Sequence, residues 1–379
     1  MVTFVNCDIY TGDEVIFNRA VLVKNDIIVD IITYDKIKPS YKIIDLKQAN
    51  IVPGFIDLQV NGGNGVLFND QPTVDSLRKI VQGHSRFGTT DILPTFITDD
   101  PLKMKKAVKA VRYCLDNKEE GILGIHFEGP FISPEMAGVH DIEYIIDFDD
   151  SVAGIMTSLK KGVTYITIAP ERLTRDQIQK LSGPNIKLAV GHSNADSVQM
   201  GEAFRSGITG VTHLFNVMSQ MQQRSPGVVG SILADDNEWA SIIVDGYHVD
   251  FVNVRAAWKA KRGKLFLVTD AMPPVGSTLD EYKIGPVTIY YKHGKCVTSN
   301  GLLGGSGLDM ATAVRNCIQK VGIEMPEAFR MASTYPAQFI ETSTLGFIKP
   351  GYKANMTICN NDINVSGIVR NGVYHKFVN

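Results

Sequence analysis

Apolar positions along the chain follow two rhythms. Toward both ends they alternate with polar ones, as in VTFVNCDIY, RAVLVKNDIIVDII and YKIIDL within residues 2–50, and in NMTICNND and VSGIVRNGVYHKFV within residues 353–379. A period of two marks a strand with one buried face, and Asn25-Asp26 and Asn371-Gly372 are hairpin-turn pairs between such runs. The two ends therefore predict one small β-sandwich domain formed by residues 1–50 and 345–379. Residues 51–344 would be inserted into it, with their ends close together.

The middle of the chain reads differently. Short, nearly continuous apolar runs occupy 51–60, 89–96, 121–128, 163–170, 186–193, 210–216, 240–246 and 264–271. Stretches of helical period fall between them, among them VDSLRKIVQGHSRFG, PLKMKKAVKAVRYCL and NADSVQMGEAFRSG, with Thr73, Asp100 and Asn194 placed as N-caps. Strands apolar on both faces that alternate eight times with helices predict an α/β fold, a parallel (β/α)8 barrel of the TIM type.

In such barrels chemistry gathers at the C-terminal ends of the strands. Here the first run ends in Asp57, Gln59 and Asn61, the third in Glu128, the fifth in His192, the sixth in His213, the seventh in Asp245 and the eighth in Asp270. The segment GIHFEGP makes the point sharply. Its His126 and Glu128 share one face of a strand, and a carboxylate buried there is costly unless a cation meets it. Glu128, His192 and His213 would offer one carboxylate and two imidazoles, the N/O set of a hydrolytic metal site with an open position for water. Asp270 would stand as the general base, and His126, one pleat deeper, as a core or supporting residue.

Charge and cysteine content narrow the partner. Lys and Arg number 38 against 40 Asp and Glu, a formal charge of −2 with no run of like charges, so nucleic acid and membrane surfaces have no electrostatic basis and a small molecule is expected. The N-terminus lacks the pattern of a secretion signal and no apolar run reaches membrane-span length, which predicts a cytoplasmic protein. Five scattered cysteines without a C-x-x-C pair read as reduced packing residues.

Seven segments carry a family resemblance: PGFIDLQVNG, HFEGPFISPEMAGVH, VGHSNA, THLFN, IIVDGYHVD, LVTDAMPP and LGGSGLDM. In order and spacing they resemble the N-acetylglucosamine-6-phosphate deacetylase family of the amidohydrolase superfamily over essentially the whole chain. The resemblance implies hydrolysis of the acetamide of N-acetyl-D-glucosamine 6-phosphate to D-glucosamine 6-phosphate and acetate. It implies metal ligands at Glu128, His192 and His213, a catalytic base at Asp270, and His140 polarising the substrate carbonyl. Gln59-Val60-Asn61 stands where many amidohydrolases have His-x-His, and amides are poor ligands beside imidazole, so one divalent ion per subunit is expected. Zinc is favoured, and iron or cobalt would suit the same donors. By the same resemblance Gln59, Asn61, Val139, His140, Asn216, Val217, Arg224, Asp245, His248 and Leu303-Gly304-Gly305-Ser306 contact the phosphosugar, Arg224 as a phosphate ligand. In the family the corresponding Arg and His reach a neighbouring subunit's site, so a homodimer is expected.

Two other readings stand beside this one. A related amidohydrolase acting on N-acetylgalactosamine 6-phosphate would look much the same. A barrel that had become a non-catalytic scaffold would be marked by loss of a ligand or of the base, and all four residues are present.

Overall fold

In the computed structural model, which describes residues 1–285 and 287–377, eight parallel strands run in sequential order through one sheet. They are Phe55–Val60, Thr89–Ile97, Gly124–Glu128, Val163–Ile168, Ile186–Val190, Gly210–Val211, Trp239–Ile242 and Leu265–Leu267. Each falls within or beside one of the apolar runs, and every residue of the first three is buried. Burial on both faces is why these runs are continuous instead of alternating. Helices pack outside, and the shared core draws on both layers, for example Leu58 with Leu77 and Phe127 with Val108. The last strand does not pair with the first as a regular ladder. That seam is joined by a single bridge between Val60 and Ala271 and by hydrogen bonds just beyond the strands.

The helix starts follow local chemistry. Thr73 accepts from Ser76 N and Asp100 from Leu102 N, opening the helices Val74–Ser85 and Pro101–Asp116. The third expected cap is displaced: Asp196, not Asn194, caps Ser197–Arg205. Its carboxylate accepts from the Val198 and Gln199 N–H groups, while the Gln199 side chain returns to the Asp196 N–H. That reciprocal box outcompetes Asn194, whose amide donates to Glu135 instead.

The chain ends share a second sheet. Lys42–Pro53 is its central strand, parallel to Val2–Tyr10 and antiparallel to Met356–Cys359. Its two halves close on one another where Ile28 N donates to Tyr352 O (2.8 Å) and Ala354 N to Asp26 O (2.7 Å). Phe4, Val21, Ile28, Ile51, Met356 and Val369 thereby bury one common apolar core. Val378 and Asn379 of the expected C-terminal segment lie outside the described residues. Arg370 fastens this sheet to the barrel, donating to Thr90 O, Thr89 O and Ser85 Oγ, and Asn355 donates to Asp91.

One element was not expected. Between the eighth barrel strand and the helix Met310–Asn316 lies an antiparallel sheet of Glu281–Ile284, Val287–Lys292, Lys295–Thr298 and Leu303–Ser306. It stands over the barrel mouth. Among the described residues no helix is long and apolar enough to cross a membrane.

Candidate active site

The polar residues that end the strands are held in backbone conformations side chains seldom adopt. His192 (φ 48°), His213 (φ 34°) and Asp270 (φ 53°) are all left-handed, as are Phe215 (φ 81°) and the β-branched Val217 (φ 43°). Each costs on the order of 1–3 kcal/mol, and such strain collects where geometry matters more than stability. The turns deliver all three ionisable side chains into one cleft.

Glu128 is the meeting point. Its Oε1 lies 3.2 Å from His192 Nε2 and 2.8 Å from His213 Nε2, and the two nitrogens are 3.2 Å apart. All three residues are nearly inaccessible to water. Burial alone would raise the Glu128 pKa, but hydrogen bonds and charge from His192 and His213 hold it well below the usual range. Three donor atoms at these separations approach the edges, about 3.3 Å, of a tetrahedron with metal bonds of about 2.0–2.1 Å. His192 Nδ1 donates to Met136 O (2.7 Å), which leaves Nε2 as the ring atom that faces the cluster. The donor set therefore fits a divalent ion.

His140 approaches from the other side. Its Nε2 is 3.9 Å from Glu128 Oε2, and Glu128, His140 and His192 themselves form a group that could hold a metal. The tighter trio is the one with His213, whose Nε2 meets both the carboxylate oxygen that His192 meets and His192 Nε2 itself. His140 is buried and its pKa is pushed down to about 3 by burial and by the charge of His192, so the ring is neutral. Its Nδ1 is 2.8 Å from Thr98 Oγ1, which also lies 3.1 Å from Glu128 O. Thr98 has one proton, which it donates to Glu128 O, and its oxygen accepts from His140 Nδ1. No feature of the sequence marked Thr98 beyond its place after a barrel strand.

Asp270 closes the opposite wall. Asn61 Nδ2 (2.6 Å) and Gln59 Nε2 (3.2 Å) both donate to its Oδ1, and Gln59 Nε2 also reaches Glu128 Oε1 at 3.1 Å. Burial, and then the Glu128 charge, raise its pKa. His126 lies deeper, bonded through both nitrogens to Thr95 and Thr167 and stacked on Tyr165, as a core residue would be.

The cleft is a cavity of about 360 Å³. Of the expected substrate contacts, Asn61, Val139, His140, Asn216, Val217, His248, Leu303 and Gly305 line it. Apolar walls from Ile97, Ile243, Met272 and Ile284 complete it, and these no polar motif could signal. The Asn216 N–H is taken by His213 O (3.0 Å). Asp245 is set back and accepts from His248 Nδ1 at 2.6 Å, orienting that ring. Gln59 sits behind the wall. Gly304 O accepts from Tyr282, and Ser306 Oγ donates to Thr269 O beneath the floor. Arg224 lies on an exposed turn outside the cavity of its own chain.

The amidohydrolase family model matches residues 50–374, and a model described as the NagA composite domain matches residues 1–51. An N-acetylglucosamine-6-phosphate deacetylase of Haemophilus influenzae is 37% identical over 376 residues, covering 98% of each chain. An N-acetylgalactosamine-6-phosphate deacetylase of Shewanella sp. is 40% identical over 332 residues, 87% of this chain and 84% of that one. A crystal structure of N-acetylglucosamine-6-phosphate deacetylase from Pasteurella multocida superposes with a TM-score of 0.95 at 39% identity, covering 99% of this chain and all of the other.

Proposed function

The chain belongs to the amidohydrolase family, and we propose that it hydrolyses the acetamide of N-acetyl-D-glucosamine 6-phosphate, releasing acetate and D-glucosamine 6-phosphate. The observation that carries this reading is the convergence of Glu128, His192 and His213 with Asp270 across the cleft, in a chain that matches a phosphosugar deacetylase from end to end.

Glu128, His192 and His213 would hold one divalent ion, zinc by preference with iron or cobalt as substitutes, whose Lewis acidity polarises the carbonyl and acidifies a water. The Gln59 and Asn61 amides turn N–H groups, not lone pairs, toward the carboxylates, which supports one ion and not two. Asp270 accepts the proton of the attacking water through the oxygen that Asn61 and Gln59 leave free. His140, which lines the cleft beside Glu128, would polarise the carbonyl oxygen as negative charge develops on it. Asp270 then returns the proton to the sugar nitrogen, and the C–N bond breaks. Val217 and His248 both line the cleft, which supports their binding the sugar phosphate. The exposure of Arg224 supports its serving a neighbouring subunit's cleft in a homodimer. Five buried free thiols are in keeping with a cytoplasmic setting. The same reading divides the chain into residues 1–50 with 345–379 as the smaller domain and 51–344 as the catalytic barrel.

The likeness to the Shewanella protein favours N-acetylgalactosamine 6-phosphate as a second reading. Steady-state kinetics on both phosphosugars and on unphosphorylated N-acetylglucosamine test the two together. The proposal expects the highest kcat/KM on the gluco epimer and a large loss without phosphate. A preference for the galacto epimer would install the second reading, and indifference to phosphate would remove Arg224 and His248 from their roles.

A further inference from the structure

Asp57 is a fully buried carboxylate that the reaction does not use. It lies on the first barrel strand, one pleat below Gln59, with no cation beside it among the described residues. Its Oδ1 accepts from Thr269 N and from Gln59 N, both at 3.2 Å, and its Oδ2 meets Thr269 Oγ1 at 2.5 Å. Thr269 directly precedes Asp270. The contact therefore crosses the seam where the first and eighth strands form no regular ladder.

We infer that Asp57 is the positioning residue that sets the Asp270 carboxylate, by stapling Thr269 to the first strand across the open seam of the barrel. Asp270 adopts φ 53°, a conformation its neighbours must enforce. Above it, Asn61 N and Gly62 N donate to Ala271 O at 3.0 and 2.9 Å, and Asp270 N donates to Gln59 O at 2.9 Å. Those contacts fix the strained residue from its C-terminal side; Asp57 fixes it from its N-terminal side. Asp57, Gln59 and Asn61 alternate along one strand face, so a single strand grips three successive residues of the other. The grip survives a change of protonation: if Oδ2 carries a proton, it donates to Thr269 Oγ1 in place of accepting. An asparagine can do the same through its N–H, whereas leucine can do neither.

The inference rests on Asp270 being the base, and the experiment separates the two. Turnover, metal content and unfolding are measured for Asp57→Leu, Asp57→Asn, Thr269→Val, Thr269→Ser and Asp270→Asn. Asp57→Leu and Thr269→Val should lower kcat by about tenfold or more, because a displacement near 1 Å at a reacting group costs up to about 10²-fold. KM should stay within about twofold and bound metal be unchanged, the sign of an interaction felt only in the transition state. Asp57→Asn and Thr269→Ser should recover most of the rate. If Asp57→Leu does not fold, the Thr269 pair decides alone. Thr269→Val with wild-type kcat overturns the inference, as do parallel losses in kcat, KM and melting temperature that Asn and Ser fail to rescue. If Asp270→Asn itself keeps its turnover, the assignment of the base falls and this inference falls with it. An inactive Asp270→Asn beside a fully active Thr269→Val removes the staple alone.

Discussion

Asp270 is both basic and immobile, two properties that seldom coincide in one carboxylate. Burial and the Glu128 charge raise its proton affinity, and the Asn61 and Gln59 amides hold one oxygen so that the other faces the cavity. Asp270→Asn should keep its metal and fold yet lose roughly 10²–10⁴ in kcat, the usual span for a general base; metal analysis beside kinetics checks both halves. Asp57 makes a pH prediction. Burial pushes its carboxyl from the usual 3.8 up to about 7, against the opposing pull of Thr269 and Gln59. The unfolded chain releases that proton first, so the folded state binds more protons between about pH 4 and 7. The stability contributed is complete below that window and is lost as pH rises through it. Over that range the wild type should lose up to about 4 kcal/mol relative to Asp57→Asn. Parallel urea titrations at the two ends of the window, showing equal losses, would contradict it. Glu128, His192, His213 and Asp270 were legible beforehand because a polar residue closing an apolar run is a local signal. Thr98 and Asp57 were not legible in their roles, since each acts through a partner far away in sequence, Thr269 being 212 positions from Asp57.

Among the elements, the eight barrel strands and the flanking helices could be read from periodicity, because burial on one or two faces writes itself into consecutive residues. Helix starts were readable to within a turn. Asn194 and Asp196 are both capping types, and only the completed box with Gln199 separates them. Asp196→Ala should therefore cost about 1 kcal/mol of stability, measured by denaturant melts, while kcat stays unchanged. The sheet over the mouth escaped notice although its pattern was present. Val287–Lys292 alternates, and the turn His293-Gly294 has φ 51° and 82°, the geometry of a two-residue hairpin loop. It lies where a barrel helix is due, and topology overrode the local signal. Its last strand bears on the chemistry, since Ser306 N donates to Asp270 O (2.9 Å). Gly305 (φ +71°) permits that approach, and a Cβ there would collide with the Met272 side chain. Gly305→Ala should accordingly lower both the melting temperature and kcat, whereas an unchanged kcat would detach this sheet from the reaction.

At the scale of the whole molecule, the proposed metal site would tie stability to activity. A bound ion stabilises the folded state by about 4 kcal/mol when present at a thousand times its Kd. Dialysis against a chelator should abolish turnover and lower the melting temperature, and zinc should restore both; a chelated protein that melts as before and still turns over would exclude the cluster as a metal centre. The second whole-molecule feature is that the two chain ends lie in one sheet. The central strand Lys42–Pro53 takes Met356–Cys359 as a partner, and Arg370 stitches that sheet to the barrel. During translation the amino-terminal strands thus emerge long before their counterpart exists. At ribosomal speeds of about 5–20 residues per second they wait roughly 15–60 s with one edge unpaired. A polypeptide released early would carry that raw edge permanently and leave Thr89 and Thr90 without the guanidinium that caps them. Only a chain that extends through Met356–Cys359 covers that edge with backbone of its own.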